Sequence, residues 1–228
     1  MSLKDKIASG LIQKGLPIIN KKVGKTIQDN GLDPYQSVTH FETTIGSIGD
    51  SAITAALNLR NLSGLSSLTI RSIQLAKKEL DADDHGASAT TATFSIDFAK
   101  DLTMDISGSL NGKLKVSLGP FSVDKNQSVG LSATLTNSGS TIEGTADVEF
   151  GKLTDLEIKS IDITALTLKM GTNKVEFEGS LGIFDALTIS AMDAISKQFQ
   201  SELEGHISTA LKMAIQDSLS AVMPMKLL

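Results

Sequence analysis

The residues of this chain that could carry catalysis are few and poorly arranged. Its three histidines, His40, His85 and His206, are far apart in sequence, and it has no cysteine. Hydrolysis at a serine would need a His and an acid beside it, and no G-x-S-x-G elbow occurs. Asp81, Asp83, Asp84, His85 and Gly86 space their carboxylates as a calcium loop does. Ala92, however, stands where the closing bidentate Glu belongs, so the run reads as a solvated hairpin turn. No G-x-G-x-x-G or Walker sequence is present to cradle phosphates. The absence of Cys removes thiolate catalysis, disulfides and Cys-based zinc sites together. The expectation is a protein that is not an enzyme, with no catalytic residue, no metal site and no cofactor. What remains is apolar chemistry. Phe94, Ile96, Phe98 and Met104, with Met192, Ile195, Phe199 and Leu203, form an aliphatic and aromatic set with few polar groups, of the kind that lines a pocket for a hydrophobic molecule. Phe199 and Met192 would either touch a ligand or fill the core.

Two kinds of element must position that set. The last forty residues place Ile195, Phe199, Leu203, Ile207, Leu211, Ile215 and Leu219 four apart, with Met192 and Val222 extending the series. Only a helix makes such residues neighbours, which predicts one long helix over 185–223. Four residues overshoot one α-helical turn by about 40°, so the stripe winds round the helix, and a curled sheet rather than a flat one is needed to cover it. Gly205, next to Leu203 and Ile207, is where a bend is most easily accommodated. Gln198 and His206 each precede an apolar position. They would either put one polar group at the pocket wall or lie on the helix flank in water.

The N-terminus repeats the device over residues 1–30. Leu3, Ile7, Leu11, Ile19, Val23 and Ile27 keep the fourfold spacing, with Gly15 in the vacant place. Pro17 predicts a kink or a split, and Asn30-Gly31 the helix stop. Lys4, Lys6, Lys14, Lys21, Lys22 and Lys25 make this helix basic, either as a solvated face or as a membrane-surface contact. The same lysines interrupt the apolar positions, so these residues are not a signal peptide.

Between the helices, residues 38–181 follow a period of two. Examples are Ile53-Ala55-Leu57-Leu59, Phe94-Ile96-Phe98 and Leu131-Ala133-Leu135, with polar faces rich in Ser and Thr. One apolar face per strand indicates an antiparallel sheet with one dry side. Turns are predicted at Asp83–Gly86, Asn111-Gly112, Gly119-Pro120, Asn137–Gly139 and Gly171–Asn173. An internal echo links Leu68-Thr-Ile-Arg-Ser-Ile-Gln-Leu75 to Leu156-Glu-Ile-Lys-Ser-Ile-Asp-Ile163. In both, the apolar phase slips by one at the Ser, the mark of a β-bulge that bends a strand. The echo is either a structural equivalence or a chance match.

Composition bounds the partners. The 228 residues are 40% hydrophobic but only 4% aromatic, with no Trp. Pockets for planar bases or sugars usually carry more aromatic surface. The net charge of −5 argues against a nucleic-acid partner. No apolar run approaches a membrane span. Asn61 and Asn126 stand in N-x-S sequons, which matter only in a secreted protein.

The order helix, Asp-Pro, curled sheet, long wrapped helix resembles the family of juvenile-hormone-binding proteins, takeout proteins and group 7 mite allergens, which share the tubular lipid-binding fold. The resemblance is carried by Leu32-Asp33-Pro34, by Asn61-Leu62-Ser63-Gly64-Leu65, by Met104-Asp-Ile-Ser-Gly-Ser-Leu110 and by Leu181-Gly-Ile-Phe-Asp185. Met104 stands where the family's "Y-x-I-x-G" strand usually has Tyr. The group 7 allergens look closest, because the hormone carriers and takeout proteins usually have an N-terminal cysteine pair. The resemblance implies one α+β domain over residues 1–228, a strongly curled antiparallel sheet wrapped around a long C-terminal helix, flanked by the N-terminal helix. It implies a non-enzymatic, secreted carrier of a small hydrophobic ligand such as a fatty acid, terpenoid or carotenoid-like molecule, its signal sequence not being part of this chain. The alternative is a membrane- or interface-active amphiphile without a specific ligand.

Overall fold

The computed structural model describes residues 3–36, 39–48, 51–75, 89–118, 121–151 and 157–226. The fold is α+β, a strongly curled antiparallel layer wrapped around a long C-terminal helix, with a second helix at the N-terminus. Helix α1 spans Leu3–Asp29. The strands are β1 (Thr39–Ile48), β2 (Ser51–Ser63), β3 (Leu68–Leu75), β4 (Ala89–Phe98), β5 (Leu102–Leu118), β6 (Phe121–Ser138), β7 (Thr141–Phe150), β8 (Glu157–Lys169) and β9 (Thr172–Phe177). Helix α2 (Thr188–Glu202) continues through a π-helical turn (Leu203–Ile207) into α3 (Ser208–Ser220), and β10 is the short Met225–Lys226. Among the described residues the antiparallel layer divides into two five-stranded sheets, β1-β2-β5-β6-β9 and β10-β8-β7-β4-β3.

The fourfold series of the long helix is buried throughout, with Ile195, Phe199, Leu203, Ile207, Leu211, Ile215 and Leu219 at most 3% exposed. The helix passes from one sheet to the other. Its α2 half packs on β1 and β9 of the first sheet, and its α3 half packs on β8 of the second sheet and on α1. The π turn sits midway, at Gly205. Its i→i+5 bonding spreads each turn over more residues, so a four-residue step falls nearer a full turn and the stripe winds less than in an ideal α-helix. The helix ends at Ser220, short of residue 223, because Pro224 disfavours helical backbone in the residue before it.

Helix α1 is not split at Pro17. Pro17 lies on the exposed side, where the missing N–H faces water, while Ile12, Leu16, Ile19, Val23 and Ile27 hold the opposite side in the core. Gly15 marks a close approach, since a Cβ there would run into the Met225 side chain from β10. The stop at Gly31 is a Schellman motif. Gly31 has φ +67°, Gly31 N–H donates to Gln28 O at 2.9 Å and Leu32 N–H to Ile27 O at 2.9 Å. Asp33 then ties two of the resemblance motifs together. Its carboxylate accepts from Gly64 N–H (3.0 Å), Ser66 N–H (2.7 Å) and the Ser66 hydroxyl, while Tyr35 and Leu62 exchange backbone bonds.

Both phase slips are bulges, and the echo is a structural equivalence. In β3 the pairing passes from Ile70↔Ile96 to Ser72↔Ser95, and in β8 from Ile158↔Phe150 to Ser160↔Glu149. Beyond them Ile73↔Phe94 matches Ile161↔Val148, and Leu75↔Ala92 matches Ile163↔Ala146. The pairs β3–β4 and β8–β7 therefore repeat about an approximate two-fold axis normal to the second sheet. Each outer strand also receives a helix through a side-chain amide. Asn20 of α1 bonds both N–H and C=O of Ile70, at 2.9 and 3.2 Å. Gln216 of α3 bonds Ile163 N–H and Ile161 C=O, at 2.7 and 3.0 Å. β3 is an edge strand and β10 pairs with β8 only at Glu157 and Ile158, so these contacts satisfy backbone groups that no neighbouring strand reaches.

One expected turn is corrected. Asn111-Gly112 lies within the continuous strand β5, because β6 pairs along its whole length and β2 pairs with both residues. Two flanking ladders outweigh the local turn preference of the dipeptide. Asn137–Gly139 and Gly171–Asn173 do lie at strand ends, with Gly139 at φ +78°. Asp83–Gly86, and with it the calcium-like run and His85, lies outside the described residues, as does Gly119-Pro120.

Candidate functional site

An apolar crevice opens between the second sheet and the long helix at the π turn. Phe98 of β4, Ile142 of β7, and Leu166 and Leu168 of β8 form the sheet side. Leu203, Ser208 and Leu211 form the helix side. Strand alternation points Leu166 and Leu168 the same way, and the π turn presents Leu203 and Leu211 eight residues apart on the facing helix surface. Its closed volume is about 10 Å³, room for about one water molecule. Phe98, Leu166, Leu168 and the following Met170 are only half-buried, unlike the residues deeper between the sheets. A strip of apolar surface thus leads from the outside to the crevice.

The sequence-predicted residues divide by depth. Phe98 and Leu203 meet across the crevice. Ile96 is fully buried two residues before Phe98 on β4, paired with the crevice residue Ile142. Ile195 and Phe199 are fully buried along α2, and Met192 is half-buried on the same helix. Met104 is buried on β5 of the first sheet, opposite Leu135. Phe94 faces Gly144 across β4 and β7 and borders a polar groove on the second sheet, lined by Ser72, Thr93, Ser95 and Glu143 among others. All eight except Phe98 and Met192 are buried members of one apolar core, and those two pack against it.

The interior offers a ligand almost no polar recognition. The described buried polar side chains are Asn137, Ser140 and Ser218, and each is occupied by protein. Asn137 donates to Asn173 at 2.7 Å, Ser140 donates to Asn137 at 2.5 Å and accepts from Gly171 N–H at 2.8 Å, and Ser218 donates to Ala214 O at 2.7 Å. No described buried side-chain polar atom lacks a partner. Gln198 is turned to the flank, bonded to Glu202 at 3.4 Å, while the His206 side chain lies outside the described residues. Sequence reasoning missed Ile142, Leu166, Leu168, Ser208 and Leu211 as crevice residues. Their apolar alternation was visible, but which strands face the π turn is decided by tertiary packing. Among the described residues no group of acidic or imidazole side chains is placed to hold a metal ion.

No family model and no curated protein matches this chain. Two solved structures are similar to it in fold at low similarity. The crystal structure of lipopolysaccharide binding protein is 14% identical with a TM-score of 0.42, over 95% of this chain and 38% of that one. Takeout 1 of Epiphyas postvittana is 14% identical with a TM-score of 0.38, over 95% of this chain and 91% of that one. This chain therefore spans well under half the length of the first. Neither likeness bears on what the crevice holds.

Proposed function

We propose that this protein is a non-enzymatic carrier that binds a small hydrophobic ligand between the second sheet and the long helix and works outside cells. The observation that carries the reading is the apolar crevice at the π turn, with six apolar side chains and one hydroxyl around it. A lining of that kind suits an aliphatic or isoprenoid molecule, because all of it but the Ser208 hydroxyl is apolar. Leu166, Leu168, Phe98 and Leu203 make the first contacts. Ile96, Ile195, Phe199, Met104, Met192 and Phe94 form the deeper wall that the ligand reaches when the helix yields. The closed crevice is smaller than any such ligand, so binding selects a state in which the helix stands away from β8. The π turn, where the regular α-helical ladder is interrupted, is the place for that movement.

The test is titration with a fluorescent fatty acid, read with native mass spectrometry for stoichiometry. One saturable site is expected. Leu168→Asp should remove it with the fold retained, because Leu168 is only half-buried yet lines the crevice, and a carboxylate there meets the apolar ligand. Absence of saturable uptake by the native chain, or uptake unchanged in a folded Leu168→Asp variant, would contradict the proposal. No described helix is long and apolar enough to cross a membrane.

A further inference from the structure

The outer face of α1 is a cationic stripe with an apolar residue in its middle. Lys14, Ile18, Lys21, Lys22 and Lys25 are all exposed, and Ile18 is 65% exposed. Successive residues of an α-helix are 100° apart, so these five fall within an arc of about 100°, with Ile18 inside it. The opposite side, Ile19, Val23 and Ile27, is fully buried, which fixes the stripe outward. None of the four lysines has an ion-pair or hydrogen-bond partner among the described residues, whereas Lys159, Lys169, Lys174 and Lys197 are each paired with an acid. Asp29 is the described acid on the same face, at its far end. The whole chain carries a net charge of −5, so this is a local reversal of sign.

From this charge pattern we infer that the outer face of α1 docks on an anionic lipid bilayer. Four unpaired ammonium groups on flexible stems complement a surface of diffuse negative charge. An exposed Ile among them adds the element that distinguishes a bilayer from a nucleic acid. It enters the headgroup boundary of a membrane, whereas along a phosphate backbone it would gain nothing. The face carries no Arg, the residue that forked phosphate recognition favours. The surface lies on α1 and not at the crevice, so the docking does not depend on the ligand-binding reading.

The experiment is co-sedimentation of the full chain with phosphatidylcholine vesicles, with and without phosphatidylserine, and a parallel titration with duplex DNA. Binding is expected only to the phosphatidylserine vesicles, and it should weaken steeply with added salt. Each lysine near an anionic surface strengthens partition by about fivefold, so changing Lys14, Lys21, Lys22 and Lys25 together to Gln should lower it by about two orders of magnitude or more. Ile18→Ser should lower it by about tenfold without changing the salt slope. All five side chains are exposed, so both variants should keep the native unfolding midpoint and fatty-acid uptake. Equal binding to the two vesicle types, no vesicle binding, unchanged binding by the quadruple variant, or tighter binding to DNA than to vesicles at equal phosphate would each overturn the inference.

Discussion

Phe199→Asp is expected to abolish the folded state. Phe199 is fully buried on α2, in the stripe that the first sheet encloses. Truncating a buried Phe costs about 3–5 kcal/mol through lost transfer energy and the cavity left behind. A carboxylate in the same place adds several kcal/mol more, because no described cation lies in that apolar core to pair with it. The sum is comparable with the about 5–15 kcal/mol that separates folded from unfolded chains of this size. Circular dichroism in a urea titration should show no cooperative transition. A variant that unfolds near the native midpoint would mean that α2 lies on the outside. Phe199→Asp is therefore a poor probe of ligand uptake, since the fold is lost before binding can be read.

Leu203→Ala should cost about 2–5 kcal/mol, the usual range for a buried Leu. Leu203 is 2% exposed and begins the π turn, facing Phe98 and Leu168 across the crevice. The truncation enlarges a space that now holds about one water molecule, and its walls are apolar. An aliphatic ligand should then return part of the lost stability, about 2.7 kcal/mol at a free concentration one hundred times its Kd. Thermal unfolding of this variant with and without a medium-chain fatty acid reads both effects. A cost well under 1 kcal/mol would mean that the helix is a loosely attached surface element.

Much of the fold was legible because it rests on periodicity. The fourfold series from Ile195 to Leu219 specified a buried helix directly. The phase slips at Ser72 and Ser160 specified bulges, since a period of two leaves no other way to keep both flanks apolar on one face. Gly31 announced its Schellman stop. Features that depend on partners distant in sequence were not legible. Asn111-Gly112 has strong turn character, yet the ladders to β2 and β6 decide its conformation. The vacancy at Gly15 was visible, but Met225, which fills it, arrives from a strand more than two hundred residues away. Nothing in the sequence around Asn20 or Gln216 marks either as a clamp on β3 or β8; the docked helices make them so. The π turn leaves one faint sequence trace, Gly205. The candidate site suffered most from this limit, because its lining joins three strands of one sheet to a turn of the long helix.

Photolabelling with a diazirine fatty acid, followed by mapping of the adducts by peptide mass spectrometry, locates a bound ligand on the chain. Binding at the crevice should place adducts on the peptides that carry Phe98, Leu166, Leu168, Leu203 and Leu211, all suppressed by excess unlabelled fatty acid. Adducts confined to the outer face of α1, or spread over the surface and insensitive to competitor, would contradict it.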